Sequence, residues 1–146
     1  MTLTSWIAPL AKQAEDRVPR VISPRAHAAL DYAVIGGAAF IAYRLWNRNR
    51  RAAVSAILTG ISELSVVSLT DYPGGIAKLI SFPLHGRIAL GHASMIGGMP
   101  RMMGFDGTPE ARLFAGWSAV VALLVALTDF TGTGQQEQHH LIEAAG

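Results

Sequence analysis

Four long apolar stretches constrain the fold of this chain more than any other feature of its sequence. Each is about 19–23 residues long, and a helix of roughly 20 apolar residues crosses the hydrocarbon core of a bilayer. Two begin with a start signal, Ser23-Pro24 and Thr108-Pro109, in which a capping residue precedes a helix-opening proline. The stretches lie at residues 24–46, 52–70, 83–103 and 109–130. We therefore predict an all-α integral membrane protein, a four-helix bundle with up-down-up-down topology.

The composition favours a membrane protein over a soluble one. Charged residues make up 15% of the chain, against about 25% in soluble domains, and the mean hydropathy is +0.33. A soluble bundle of buried helices is the alternative. A bundle this small needs polar outer faces, which the second and fourth stretches lack. The lipid bilayer is thus the expected partner, and a multi-pass position in a bacterial inner membrane is the expected location.

The basic residues are concentrated between the apolar stretches. The net charge is only +2, so the arginines indicate membrane topology and no nucleic-acid partner is expected. The basic segment 44–51 favours the cytoplasmic side by the positive-inside rule, which places both termini outside. The chain has no cysteine, and this excludes disulfides, thiolate catalysis and iron–sulfur clusters.

The segments outside the apolar region are predicted to be peripheral. Residues 1–22 mix apolar and basic residues, which is typical of an N-terminal arm or an interfacial amphipathic segment. Residues 131–146 are rich in glycine, glutamine and histidine and predict a flexible polar tail. Adjacent histidines such as His139 and His140 can capture metal adventitiously, but a polar tail is the favoured interpretation. The transmembrane domain is therefore assigned to residues 23–130.

A short phrase occurs twice in the chain. Residues 69–72 read Leu-Thr-Asp-Tyr, residues 127–130 read Leu-Thr-Asp-Phe, and the same shift of 58 positions carries His27 onto His85. Each histidine lies near the start of an apolar stretch, and each phrase ends the following one. We interpret this as two duplicated helical hairpins related by a pseudo-two-fold axis, with chance similarity between apolar segments as the alternative.

The predicted topology brings the polar residues of both copies to one end of the bundle. The first and third helices begin there, and the second and fourth end there. Asp31 lies one turn from His27 on the same helix face, with Tyr32 and Tyr72 nearby. Histidine and carboxylate side chains in such a set suit zinc, iron or manganese. The candidate metal ligands are His27, Asp31, Asp71, His85 and Asp129.

Three roles are open for this set. The helix dipole disfavours a carboxylate at a helix C-terminus, so Asp71 and Asp129 each need a cationic or hydrogen-bonding partner, and a histidine could pin each one structurally. The set could instead bind a divalent metal ion, or a haem whose axial ligands are His27 and His85. A histidine–aspartate pair could also orient an imidazole for proton transfer.

Three further polar residues fall inside the predicted spans. Glu63 and His92 lie at similar depth, because each is about 10–12 Å from its helix end at a rise of about 1.5 Å per residue. We predict a hydrogen bond between them. Arg87 is placed to pair with Asp31 or to contact a carboxylate or phosphate headgroup. Ionisable residues within a membrane are costly, and this favours a functional role for Glu63, Arg87 and His92.

Three functions fit these features. The first is a small membrane protein with a histidine and aspartate site for a metal ion or haem, enzymatic activity being left open. The second is a non-catalytic subunit of a larger membrane complex. The third is a proton- or ion-coupled carrier, for which four helices would require a homodimer. The chain contains no phosphate-binding glycine loop, nucleophile elbow or HExxH motif.

Overall fold

The computed structural model describes residues 19–130, and 73% of them are helical, which confirms the prediction of a mainly α-helical protein. The predicted N-terminal segment up to residue 18 and the predicted tail with His139 and His140 lie outside the described residues. The four helices are α1 (Pro24–Leu45), α2 (Arg50–Leu69), α3 (Phe82–Met102) and α4 (Pro109–Leu127).

Side-chain caps account for where α1 and α2 start. The Ser23 hydroxyl accepts a hydrogen bond from the backbone N–H of Ala26 and caps α1. The Asn49 side chain accepts one from Ala52 and caps α2. Such caps satisfy backbone donors that have no partner within the helix. Only four residues separate α1 from α2, so the two helices form an antiparallel hairpin.

Small residues bring the helices of each hairpin close together. A Cβ atom on Gly60 of α2 would lie 3.1 Å from the Cβ of Ala38 on α1. Between α3 and α4, the Ser118 hydroxyl donates to the Ala93 carbonyl at 2.7 Å. Close backbone approach of this kind is typical of helix contacts in lipid. Contacts are densest within the α1–α2 and α3–α4 pairs.

Short parallel pairings join helix starts to helix ends. Strands β1 (Thr70–Asp71) and β2 (Ile80–Ser81) pair in parallel with Thr70 opposite Ile80, and Ile22 bridges Thr128 in the same sense. A shift of 58 positions carries Ile22 onto Ile80 and Thr70 onto Thr128. The starts of α1 and α3 therefore lie at the same end of the molecule as the ends of α2 and α4. These pairings were not predicted, since two-residue strands leave no periodicity in a sequence.

The main apolar core lies toward the opposite end. Phe114 and Ile96 are fully buried there and pack with Ala52 and Ala53 at the start of α2. Phe105 in the α3–α4 connection stacks edge-on against Phe114 with ring centroids 5.2 Å apart. This core leaves the other end of the helices to a cluster of buried polar side chains.

Within residues 19–130, three helices are long and apolar enough to cross a membrane: α1, α2 and α4. Four spans were predicted. The third stretch forms helix α3, but its histidines and arginines lower its mean hydropathy, so it is not among the helices apolar enough to cross a membrane. Large apolar side chains point outward from the apolar helices, with Phe40 63%, Ile61 59% and Leu123 56% exposed. These features are compatible with a multi-pass membrane protein.

Candidate metal centre

Two histidines meet where the helices converge. His27 and His85 are each the fourth residue of a helix, α1 and α3 respectively. Both side chains are buried, and their Nε2 atoms lie 3.3 Å apart. The rings meet nearly at right angles, with centroids 5.3 Å apart. The two hairpins therefore touch through the imidazole edges.

Asp31 completes the cluster, one turn after His27. Its Oδ1 lies 3.4 Å from His27 Nε2, and its Oδ2 lies 3.6 Å from His85 Nε2. Each of the three side chains contributes a potential ligand atom, and these atoms all lie within 4.8 Å of one another. We call His27, Asp31 and His85 the His/Asp centre.

Two threonines contact the Nδ1 atoms of the histidine rings. Thr128 Oγ1 lies 2.8 Å from His27 Nδ1, and it donates its own proton to the Leu124 carbonyl. Thr70 Oγ1 lies 2.9 Å from His85 Nδ1 and donates to the Val66 carbonyl.

A hydroxyl has a single proton, and when each threonine donates that proton to its helix carbonyl, its oxygen accepts a hydrogen bond from Nδ1–H. In this tautomer the neutral rings of His27 and His85 present their Nε2 lone pairs to each other and to Asp31.

Tyr72 supports the carboxylate. Its hydroxyl donates to Asp31 Oδ2 at 2.7 Å. Burial, and secondarily this hydrogen bond, raises the pKa of the Tyr72 phenol, which keeps it protonated as a donor. Each side chain of the His/Asp centre thus has an outer hydrogen-bond partner.

Aromatic rings enclose the His/Asp centre. The ring of Phe130 contacts His27 edge-on at 5.2 Å, and that of Phe82 does so at 5.6 Å. Tyr72 packs on His85 with centroids 5.4 Å apart. The surroundings are therefore apolar, and electrostatic interactions within the centre are stronger than they would be in water.

The repeated aspartates occupy different positions. Asp71 is exposed and forms an ion pair with Lys78 at 3.4 Å. Asp129 is half-buried, and its backbone N–H donates to the carbonyl of Ile22. Within residues 19–130, the ligand atoms that converge belong to His27, Asp31 and His85, and neither repeated aspartate is part of that group.

The predicted hydrogen bond between Glu63 and His92 is present. Glu63 Oε2 lies 2.5 Å from His92 Nδ1, and both side chains are buried between α2 and α3. Two buried polar atoms have no hydrogen-bond partner among the described residues: the second ring nitrogen of His92 itself, Nε2, and Oγ1 of Thr59, one helical turn before Glu63. The pair forms a second polar site, two helical turns from the His/Asp centre.

Arg87 does not pair with Asp31, which was one of the two contacts predicted for it. The side chains that contact Asp31 are those of His27, His85 and Tyr72, whereas Arg87 is exposed and lines a surface groove. The helical rise places Arg87 at a depth suitable for a pair with Asp31, but Arg87 lies on the exposed face of α3 that lines the groove.

Sequence reasoning missed the part played by Thr70 and Thr128. Both threonines belong to the repeated phrase and are identical in its two copies. This identity could have indicated their role, but the predicted ligands were the charged aspartates beside them.

Comparisons of the chain with protein families, with curated proteins and with solved structures found no match.

Proposed function

We propose that this is an integral membrane protein that binds one divalent metal ion at the His/Asp centre. The observation that carries the proposal is the convergence of two histidine lone pairs and a carboxylate in a buried apolar site. Lone pairs this close repel one another unless a cation lies between them. A metal ion bound there would link α1 to α3 and so join the two hairpins.

Two separations between potential ligand atoms match the geometry of a bound zinc ion. Nitrogen and oxygen ligands lie about 2.0–2.2 Å from zinc, so the edges of its tetrahedron are about 3.3–3.6 Å long. The Nε2 atoms of His27 and His85 are 3.3 Å apart and His27 Nε2 is 3.4 Å from Asp31 Oδ1, which match such edges, whereas His85 Nε2 is 3.6 Å from the other oxygen, Oδ2. Metal-bound histidines usually donate their second N–H to an outer partner, as His27 and His85 do to Thr128 and Thr70.

The donor set selects the class of metal. Two imidazole nitrogens and one carboxylate suit zinc, iron or manganese, whereas magnesium and calcium prefer oxygen ligands. A haem is disfavoured, because its ring would have to lie between His27 and His85. Their rings are already in contact within a buried cluster. A single ion can be bound without separating the helices.

Matched contacts support the proposal that the four helices are a bundle of two duplicated hairpins. The bridge Ile22–Thr128 corresponds to Thr70–Ile80, and the pair His27–Thr128 corresponds to His85–Thr70. A two-fold axis that exchanges the hairpins would pass between His27 and His85. We place the basic segment 44–51 in the cytoplasm, which puts the His/Asp centre near the outer face of the membrane.

Proton transfer is the second candidate function. It is favoured by the buried hydrogen bond between Glu63 and His92, two ionisable groups in apolar surroundings. His92 Nε2 is available to receive or release a proton. In this case a proton, shared between His27 and His85, would take the place of the metal ion.

The decisive experiment is metal analysis of the full-length protein purified from membranes in detergent. We expect about one equivalent of zinc, iron or manganese per chain. Asp31→Asn should lose the ion, whereas Asp71→Asn, the same change at an exposed aspartate, should keep it. The double variant His139→Ala, His140→Ala should also keep it, since the tail histidines lie outside the proposed site.

X-ray absorption spectroscopy of the wild-type protein gives a test that does not depend on variants folding. Two imidazoles should be visible in the ligand shell of the bound metal. The proposal is overturned if the purified chain holds no stoichiometric metal and titrated zinc binds Asp31→Asn as tightly as wild type. It is also overturned if the binding is lost in the tail variant.

A further inference from the structure

An open groove lies beside the start of α3 and the end of α4. Its volume is about 660 Å³, within the range of pockets that hold small-molecule ligands. Pro83 and Leu90 of α3 form one apolar wall, and Ala122 and Val125 of α4 form the other. The name Arg groove is used for this cavity, because two arginines line it.

The two arginines are Arg20 and Arg87, and both are exposed. Within residues 19–130 neither guanidinium forms an ion pair with a carboxylate. The groove also reaches the first turn of α3, where the helix dipole contributes partial positive charge. Among the described residues, the cavity therefore combines apolar walls with two guanidinium groups that have no carboxylate partner.

We propose that the Arg groove binds an anionic phospholipid from the surrounding bilayer. An acyl chain lies between the α3 and α4 walls, and the headgroup phosphate accepts hydrogen bonds from Arg20 and Arg87. Guanidinium groups suit this role because they bind phosphate through paired N–H donors. The groove lies at the start of α3 and the end of the apolar helix α4, where the headgroups of a bilayer would lie. This proposal rests on the membrane placement and is independent of metal binding.

The test is native mass spectrometry of the full-length protein released from vesicles of equal phosphatidylglycerol and phosphatidylcholine. We expect phosphatidylglycerol to be retained selectively. Arg87→Ala and Arg20→Ala should each reduce that retention about fivefold, the effect of losing one basic residue at an anionic lipid surface. Arg112→Ala removes the same charge from a residue that does not line the groove and should leave retention unchanged.

A variant that keeps both charges tests the walls. Ala122→Leu narrows the groove, so it should reduce phosphatidylglycerol retention although Arg20 and Arg87 are intact. Equal losses in Arg87→Ala and Arg112→Ala would overturn the proposal, as would equal retention of the two lipids. Displacement of the lipid by millimolar inorganic phosphate would also overturn it, because it would identify a simple anion site.

Metal content separates this proposal from the preceding one. Arg87→Ala should retain the wild-type metal stoichiometry while losing lipid, and Asp31→Asn should show the opposite pattern.

Discussion

His27 and His85 lie 58 positions apart in the chain, and their Nε2 atoms lie 3.3 Å apart in the structure. The Nδ1 atom of each ring contacts a threonine at the end of a helix in the other hairpin: Thr128 for His27 and Thr70 for His85. Each imidazole therefore contacts a threonine hydroxyl through its Nδ1 atom and the other imidazole through its Nε2 atom. The two threonine hydroxyls should therefore affect metal binding, as should the three side chains of the His/Asp centre.

Loss of either threonine hydroxyl should weaken metal binding. Thr70→Val and Thr128→Val remove the acceptors of Nδ1–H, and loss of an outer partner typically costs about 10–100-fold in metal affinity. Competition titration with a chromogenic chelator measures the change. Thr70→Ser and Thr128→Ser keep the hydroxyl and should stay close to wild type. Wild-type affinity in both valine variants would contradict the assigned ring orientation.

The pH dependence of Tyr72 follows from its raised pKa. The protonated phenol is the form that the folded protein favours, because of burial and the hydrogen bond to Asp31. Its stabilising contribution is present below about pH 10, the ordinary value for tyrosine, and is lost as the pH rises through the folded-state pKa. In an alkaline titration followed by phenolate absorbance, the last transition should disappear in Tyr72→Phe and persist in Tyr43→Phe.

The buried pair of Glu63 and His92 should contribute to stability. Glu63→Ala removes one partner and leaves His92 Nδ1 unsatisfied in a buried site, which should cost about 3 kcal/mol. Glu63→Gln keeps a carbonyl acceptor and should cost less. Thermal unfolding in detergent measures both, and metal content should remain unchanged in each. Equal stability of Glu63→Ala and wild type would show that the pair is not a structural contact.

Gly75 should tolerate no side chain. A Cβ atom there would lie 1.6 Å from the Thr70 carbonyl oxygen, so Gly75→Ala must displace the backbone that positions Thr70. We expect lower stability and weaker metal binding. Gly36→Ala is the matched control, because its Cβ meets no atom within 4 Å. In a helix this change should stabilise by about 0.5–1 kcal/mol. Similar behaviour of the two variants would contradict the turn geometry.

The helices could be predicted because their signals are local. Ser23-Pro24 and Thr108-Pro109 start α1 and α4, and hydrophobic length indicated the rest. The predicted fourth stretch extended to residue 130, whereas α4 ends at Leu127. The physical reason is the bridge between Ile22 and Thr128, which draws the chain into extended backbone. That contact joins residues far apart in sequence, and periodicity carries no sign of it.

The sequence by itself determined the helix bounds to within a few residues, and thus that His27, His85 and the two repeated phrases lie at one end. Only the tertiary structure decided which side chains face inward. At Thr70 and Thr128 the backbone leaves the helix and becomes extended, so successive side chains alternate in direction. Thr70 and Tyr72 are consequently buried while Asp71 between them is exposed. The threonines thereby hold the histidines, and the carboxylate of the centre comes from Asp31, one helical turn away from His27.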